Sequence, residues 1–509
     1  MKKLYPFLCL LLLLTAFPPT GKAAEPVQYQ NKVDVSIFLA SSFPMVLNGT
    51  YQLVNKDTGK IQGIPPETAI SVKKETAGVT VTYTGFSQTS AKGFDLQEVT
   101  STKKIAFFTY ETDMRRGAST GYDVIHTFQA TDTADFLEEI TNSQGQVWYR
   151  VSASGKTGWV PFTYVNLLDA PSESLTKINN DTKKIYRGSF FLKPNGSKVE
   201  VLNTLGMEDY LKGVVPSEMP ASWHKEALKA QAIVARTYAT RIRALTNTAA
   251  SQVYGGYTAE DSRSNAAIKE TEGLLVKYGG KVAETYFFST SGGKTANVGD
   301  VWNSNQSYYP YLISVDDPYE TSKYTSWTKV FPASTILKSF GYPETATLYN
   351  ITLSKTGMNG EVRGVTVETS AGTKTITGNE SQIRKLFPIE ETSAYNMLYS
   401  NWFDISITRE TAAMSVQTST GTEAIDTLKG YTVQTPQGTV TLDGSGVSIQ
   451  TSGGVVSSEG SGISEVILTG KGWGHRIGMS QYGAKGFAEK GYTAEQIVTH
   501  YFRGTTVSK

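Results

Sequence analysis

The pattern of apolar and polar positions changes character several times along the chain. From Val33 to about Lys104 the two alternate in short runs such as Val79-Thr80-Val81-Thr82-Tyr83, broken by Asn48-Gly49 and Thr58-Gly59. A period of two belongs to half-buried strands, so this stretch predicts an antiparallel β region. Between about Phe107 and Leu168, the aromatic runs Trp148-Tyr149-Arg150-Val151 and Thr157-Gly158-Trp159-Val160 flank a turn at Ser154-Gly155-Lys156, a hairpin signature. A polar linker is expected from about Asp169 to Asp181, with strands resuming at Ile185 to Leu192 and Val199 to Asn203. From Ser222 the period turns helical: Leu228, Ala232, Ala235 and Ala239 fall on one face, with Ser222 as the expected N-cap. Thr- and Gly-rich alternation returns from about Pro332 to Gly460, including Gly364 to Thr369 and the turn Thr435-Pro436-Gln437-Gly438. Thr493 and Gln496 predict a capping box for a short helix through Tyr501, stopped by Gly504.

The start of the chain reads as an address. Lys2 and Lys3, an apolar run from Leu4 to Phe17 and small residues ending at Ala23 and Ala24 have the order of a secretory signal peptide, with cleavage expected near Ala24. The apolar run is short for a bilayer, and Pro18 and Pro19 interrupt it. Cys9, the one cysteine, lies within it, so the mature chain has no thiol chemistry, disulfide or cysteine zinc site to offer. Without Lys2, Lys3 and Lys22 the 48 basic and 46 acidic residues become 45 against 46, which gives no global reason to expect a nucleic acid partner. The 509 residues allow two or three domains, and 28 tyrosines suit strand-rich modules with polar surfaces.

Candidate chemistry concentrates just before the long helix. Glu218 lies between Pro216 and Pro220, with Val214, Val215, Met219 and Trp223 as apolar neighbours, on what reads as a rigid turn at a helix N-terminus. Apolar surroundings raise a carboxyl pKa and suit a general acid, while a helix N-terminus opposes that shift. The alternative is a glutamate that only neutralises a helix end. His475, in a glycine-rich loop, is read either as a glycan contact or orienting group or as a structural histidine. Gly472, Gly474 and Gly478 match neither nucleotide-loop spacing, and Ser291 lacks a nucleophile elbow, so nucleotide use and serine hydrolysis are set aside.

Two resemblances extend this reading. The Trp148 and Trp159 strands resemble those of the bacterial Src-homology-three-like domain, which implies a small barrel over 107–168 that either targets wall peptides or spaces domains. The run from Tyr210 through Ala239 resembles the core of the SpoIID/LytB family. So do Tyr254-Gly255-Gly256, Tyr286 with Ser291-Gly292-Gly293 and Thr295, and Gly472-Trp473-Gly474-His475 leading to Gly478-Met479-Ser480-Gln481-Tyr482-Gly483-Ala484. That resemblance implies a lytic transglycosylase of peptidoglycan with Glu218 as acid and base, acting on glycan strands stripped of stem peptides, or else a non-catalytic enhancer of a wall amidase.

The expected class is therefore α+β: a β-rich, multi-module extracellular protein with one long helix and a small SH3-like barrel. Its expected division is a signal peptide (1–24), a β-rich region (25–106), the SH3-like module (107–168), a SpoIID/LytB core (182–330), a second β-rich region (331–460) and the C-terminal part of the core (461–509). Glu218 is the catalytic candidate. His475, Arg236, Tyr238, Ser291 and Gln481 are candidate sugar contacts, and Tyr254, Tyr257, Tyr286, Trp302 and Tyr308 are available for stacking, with packing as their alternative role. No cofactor and no metal are expected, because Ser251 to Thr271 lacks the cysteines and histidines through which some members bind zinc. The expected partners are glycan strands and a wall amidase, with the protein secreted and associated with the wall. Arg476 departs from the family pattern, placing a long cation where many members have glycine, with the expectation that it narrows the groove or supplies a contact.

Overall fold

The alternating stretches fold as strands and the 3.6-period stretch as a helix, and strands outweigh helices among the described residues. The computed structural model describes residues 26–99, 104–130, 132–153, 155–169, 174–242, 244–390, 396–409, 414–418, 421–425, 431–436, 438–441, 448–451, 454–457 and 462–509. The expected signal peptide with Cys9, and turn residues Ser154 and Gln437, lie outside them. The chain divides into two compact units, one running up to Asp209 with Gly256–Thr258, the other formed by Tyr210–Gly255 and Ala259–Lys509.

In the first unit, Val33, Val35 and Ile37 point inward while their neighbours face out, the alternation that fixes strand register. Lys32–Ala40, Lys198–Gly206, Ser189–Asn195, Phe94–Glu98, Tyr51–Asn55 and Ile61–Ile64 are hydrogen-bonded neighbours in that order. A second sheet runs Ile185–Arg187, Leu175–Ile178, Ser42–Asn48, Thr68–Glu75, Gly78–Tyr83 and Phe86–Ser90. Leu175–Ile178 corrects the expected linker, because that segment pairs with Ser42–Asn48 on one side and Ile185–Arg187 on the other. The seven strands between Lys104 and Asp169 form a sheet of their own, so this module is an insertion between strands of the other two. Its core holds Phe108 stacked on Phe128 at 3.9 Å, with Met114, Val151 and Val160, and the Val147–Ala153 and Lys156–Pro161 strands pair as the expected hairpin.

The second unit is built on helix α1 (Met207–Glu218), which enters it at Tyr210, and on α2 (Lys225–Arg241). Helix α2 buries Leu228, Ala232, Ala235 and Ala239 as the periodicity requires, but also Gln231, Arg236 and Thr237. It is enclosed by α3 (Ser262–Glu270) and by the helices Gln481–Glu489 and Ala494–Tyr501, the last with the predicted Thr493–Gln496 capping box. The N-cap of α2 is His224 and not Ser222: Nδ1 of His224 accepts the backbone N–H of Glu226 at 3.3 Å. Beyond these helices, the strands Trp327–Pro332, Ile463–Gly470 and Phe403–Arg409 form one small sheet, and Leu348–Lys355, Val362–Thr369 and Gly372–Thr377 another, around a core containing Phe331, Val365, Phe387 and Leu468.

Arg476 contradicts its expected place in the groove. Its side chain is fully buried, pairs with the equally buried Glu361 at 3.1 Å and lies 4.0 Å over the ring of Trp402. The guanidinium also donates to the carbonyls of Ser291 and Lys294, so its hydrogen-bonding capacity is spent inside the fold. Removing one member of a buried ion pair strands the other charge, so Glu361→Ala is expected to destabilise the second unit by about 3–5 kcal/mol. Urea titration followed by tryptophan fluorescence reads that loss directly.

Candidate active site

Glu218 is the last residue of α1, with Pro216 inside the helix, and this corrects the expected helix N-terminus. The adjoining helix end is therefore the negative one, which adds to the cost of a charge there. Oε1 of Glu218 accepts the backbone N–H of Val253 at 2.7 Å, and Oε2 faces Nε2 of Gln481 at 3.4 Å. Burial nevertheless dominates these two donors and pushes the carboxyl up to about 7.

The carboxyl opens into a cavity of about 370 Å³ within the second unit. Tyr238 from α2, Tyr286, Trp302, Trp473, His475 and Gln481 line it, with the Ala249–Ser251 and Phe287–Ser289 segments. Glu218 is the one carboxyl among these lining residues. Its walls are aromatic: the rings of Tyr286 and Trp302 meet edge-on at 4.8 Å, and Trp302 lies 5.2 Å from His475. Such walls offer apolar faces with polar rims, the surface that a sugar ring matches.

Two distant sequence blocks meet to form this wall. Phe287–Phe288 and Met479–Ser480 pair as a short parallel ladder, and Thr290 bridges Trp473. Gly474 permits the approach: its φ is +111°, and an added Cβ would lie 2.8 Å from Cβ of Phe288. Ser480 then caps the next helix through the N–H of Gly483, which sets Gln481 at the helix start facing Glu218.

His475 is held neutral. Burial lowers its pKa to about 4, Nδ1 accepts the N–H of Ile477 at 3.1 Å, and the backbone of Phe287 is a further partner. Such a ring serves as a wall and not as a proton carrier at neutral pH. The structure thus brings Glu218, Tyr238, His475 and Gln481 together, with Tyr286 and Trp302 from the stacking candidates. Arg236 lies elsewhere, donating to the carbonyls of Leu274 and Ile268 in the interior. Ser291 is buried, and its hydroxyl accepts the N–H of Gly293. Tyr254 is packed against Tyr210, Tyr308 is exposed and Tyr257 belongs to the other unit. The Val253 N–H, a backbone donor, leaves no residue signature in the sequence, and Trp473 stands there only as part of the glycine-rich motif.

A lone carboxyl of raised pKa thus stands among the lining residues of an aromatic cleft beside a glycine-rich loop. The chain carries a SpoIID-family domain and a bacterial SH3 domain: residues 195–278 match the stage II sporulation protein model and 111–166 the bacterial SH3 model. It is similar to the amidase enhancer of Bacillus subtilis (strain 168), 32% identical over 315 residues that cover 58% of this chain and 40% of that protein. Stage II sporulation protein D of the same organism is 26% identical over 380 residues, 69% of this chain and 90% of that one. The namesake from Bacillus amyloliquefaciens is 26% identical over 60% of this chain and 76% of its own length. The chain thus spans less than half of the amidase enhancer but most of the sporulation protein. Glu218 and Tyr238 fall inside the matched 195–278 segment.

The raised value of Glu218 sets a pH dependence of stability. Its folded-state pKa exceeds that of an unfolded glutamate, so the native state holds the extra proton between about pH 4.5 and 7. Stability falls as the pH rises through that window and stays lowered above it. Glu218→Gln removes the charge, and is expected to raise the melting temperature at pH 8 by an amount equivalent to at most about 3 kcal/mol, with little change at pH 4.5. Scanning calorimetry at the two pH values separates this from a pH-independent gain.

Proposed function

We propose that this chain cleaves peptidoglycan glycan strands as a lytic transglycosylase, with Glu218 acting first as acid and then as base. The observation that carries the reading is the lone carboxyl, with its pKa lifted to about 7, in a sugar-sized aromatic cleft. The protonated carboxyl donates to the glycosidic oxygen as the C1–O bond breaks. The resulting carboxylate then takes the proton from the primary hydroxyl of the same sugar as that oxygen closes on C1. Proton and charge balance, and Glu218 ends as it began. Because the substrate supplies its own nucleophile, no second carboxylate is needed to activate water. Gln481 and the Val253 N–H steady the carboxylate formed midway.

The substrate in this reading is glycan already stripped of stem peptides, met outside the cell after the signal peptide is removed. Among the described residues no helix is long and apolar enough to cross a membrane. The similarity to an amidase enhancer supports a second reading, in which the cleft binds glycan and the chain stimulates a wall amidase without cleaving the strand.

Stripped glycan incubated with wild type is expected to yield anhydro-ended fragments by mass spectrometry, and Glu218→Gln to lower kcat by at least about 100-fold. The kcat/KM profile should fall tenfold per pH unit above about 7, where Glu218 has lost its proton. Amidase stimulation that survives Glu218→Gln, with no anhydro product from wild type, would select the second reading.

A further inference from the structure

The β-rich insertion between Trp327 and Gly470 supplies none of the described residues lining the cleft, yet one of its loops grips two cleft walls. The loop joins the strands Leu348–Lys355 and Val362–Thr369. On one side it meets the short helix Val298–Val301, whose C-cap is Trp302. A single turn of helix cannot hold itself, since it fixes several dihedrals for very few hydrogen bonds. Its terminal carbonyls need an outside donor.

Arg363, the second residue of the strand that follows the loop, is that donor. Nη1 reaches the carbonyl of Asp300 at 3.0 Å and of Gly299 at 3.4 Å, and Nη2 reaches Oδ1 of Asn303 at 2.6 Å, while Nε is anchored on the carbonyl of Gly378 at 2.7 Å. Oδ2 of Asp300 in turn accepts the N–H of Met358 at 3.1 Å. A planar fork that engages Gly299 and Asp300 within the helical turn and Asn303 just after Trp302 fixes the turn on which that ring stands.

On the other side the same loop holds the glycine-rich segment. Glu361 pairs with Arg476, whose φ of +63° places it in the left-handed region next to His475. Asn359 adds a hydrogen bond from Nδ2 to the carbonyl of Thr295, and the N–H of Ala296 donates to the carbonyl of Arg476. Trp302 and His475, 5.2 Å apart, are therefore both tied to residues 358–363.

We propose that this loop is a brace that sets the gap between Trp302 and His475, with Arg363 a positioning residue for binding the sugar ring; the sugar itself rests on the reading of the cleft given above. The insertion then governs affinity for glycan more than the proton transfer at Glu218.

The test uses the full chain with 5-fluorotryptophan, the Trp302 resonance being assigned among the seven tryptophans by Trp302→Phe. Without any ligand, Arg363→Ala is expected to shift or broaden that resonance, and Arg363→Lys to restore it in part. With stripped glycan, Arg363→Ala should raise Kd and KM about tenfold, the worth of one well-placed aromatic contact, and change kcat by less than about threefold. An unmoved Trp302 resonance in Arg363→Ala overturns the brace, as does a loss confined to kcat. A moved resonance in a protein whose wild type binds no glycan keeps the brace and removes the glycan reading, so the two fail separately.

Discussion

The removal of one carboxyl from water is the constraint on which the second unit depends. A glutamate at the end of α1 is pushed up to about 7 because protein surrounds it, and among the described residues two donors, Val253 N–H and Gln481 Nε2, oppose that push. Full solvation would return the group to an ordinary carboxylate with no proton to give at neutral pH. Complete pairing with a cation would do the same. The fold supplies neither, and surrounds the carboxyl with tyrosine, tryptophan and a neutral histidine.

Holding such a cleft open takes rigid walls, and these come from segments far apart in sequence. Helix α2, buried among three other helices, fixes Tyr238. The parallel ladder between Phe287–Phe288 and Met479–Ser480 fixes the glycine-rich loop against its neighbour. Arg476 then anchors that loop from behind, its charge matched by Glu361 in a place where an unmatched charge would be costly. The β-rich segment between Trp327 and Gly470, which supplies Glu361, is an addition to the helical part of the unit. The SH3 domain, inserted between strands of the first unit, follows the same pattern of additions hung on a continuous scaffold.

Local physics was legible in the sequence wherever a period or a cap was decisive. The alternation around Val79 became the strand Gly78–Tyr83, the Leu228 to Ala239 face became the buried side of α2, and the Thr493–Gln496 box capped its helix. Local signals mislead where two of them compete. Two prolines around Glu218 suggested a turn, yet Pro216 is accommodated inside α1; Ser222 was a good N-cap by type, yet the chain turns into α2 two residues later at His224.

By itself, the sequence determined the strand and helix periods, the apolar setting of Glu218 and the glycine-bearing motifs that resemble one family. Which side chains face the cleft was decided only by tertiary structure. Arg236, Ser291 and Arg476 carry polar groups as suited to sugar as those of Gln481, but their partners are carbonyls, an N–H and a carboxylate brought up from distant segments. A polar side chain is spent on whatever buried group would otherwise go unpaired, and that group is known only once the chain has folded around it.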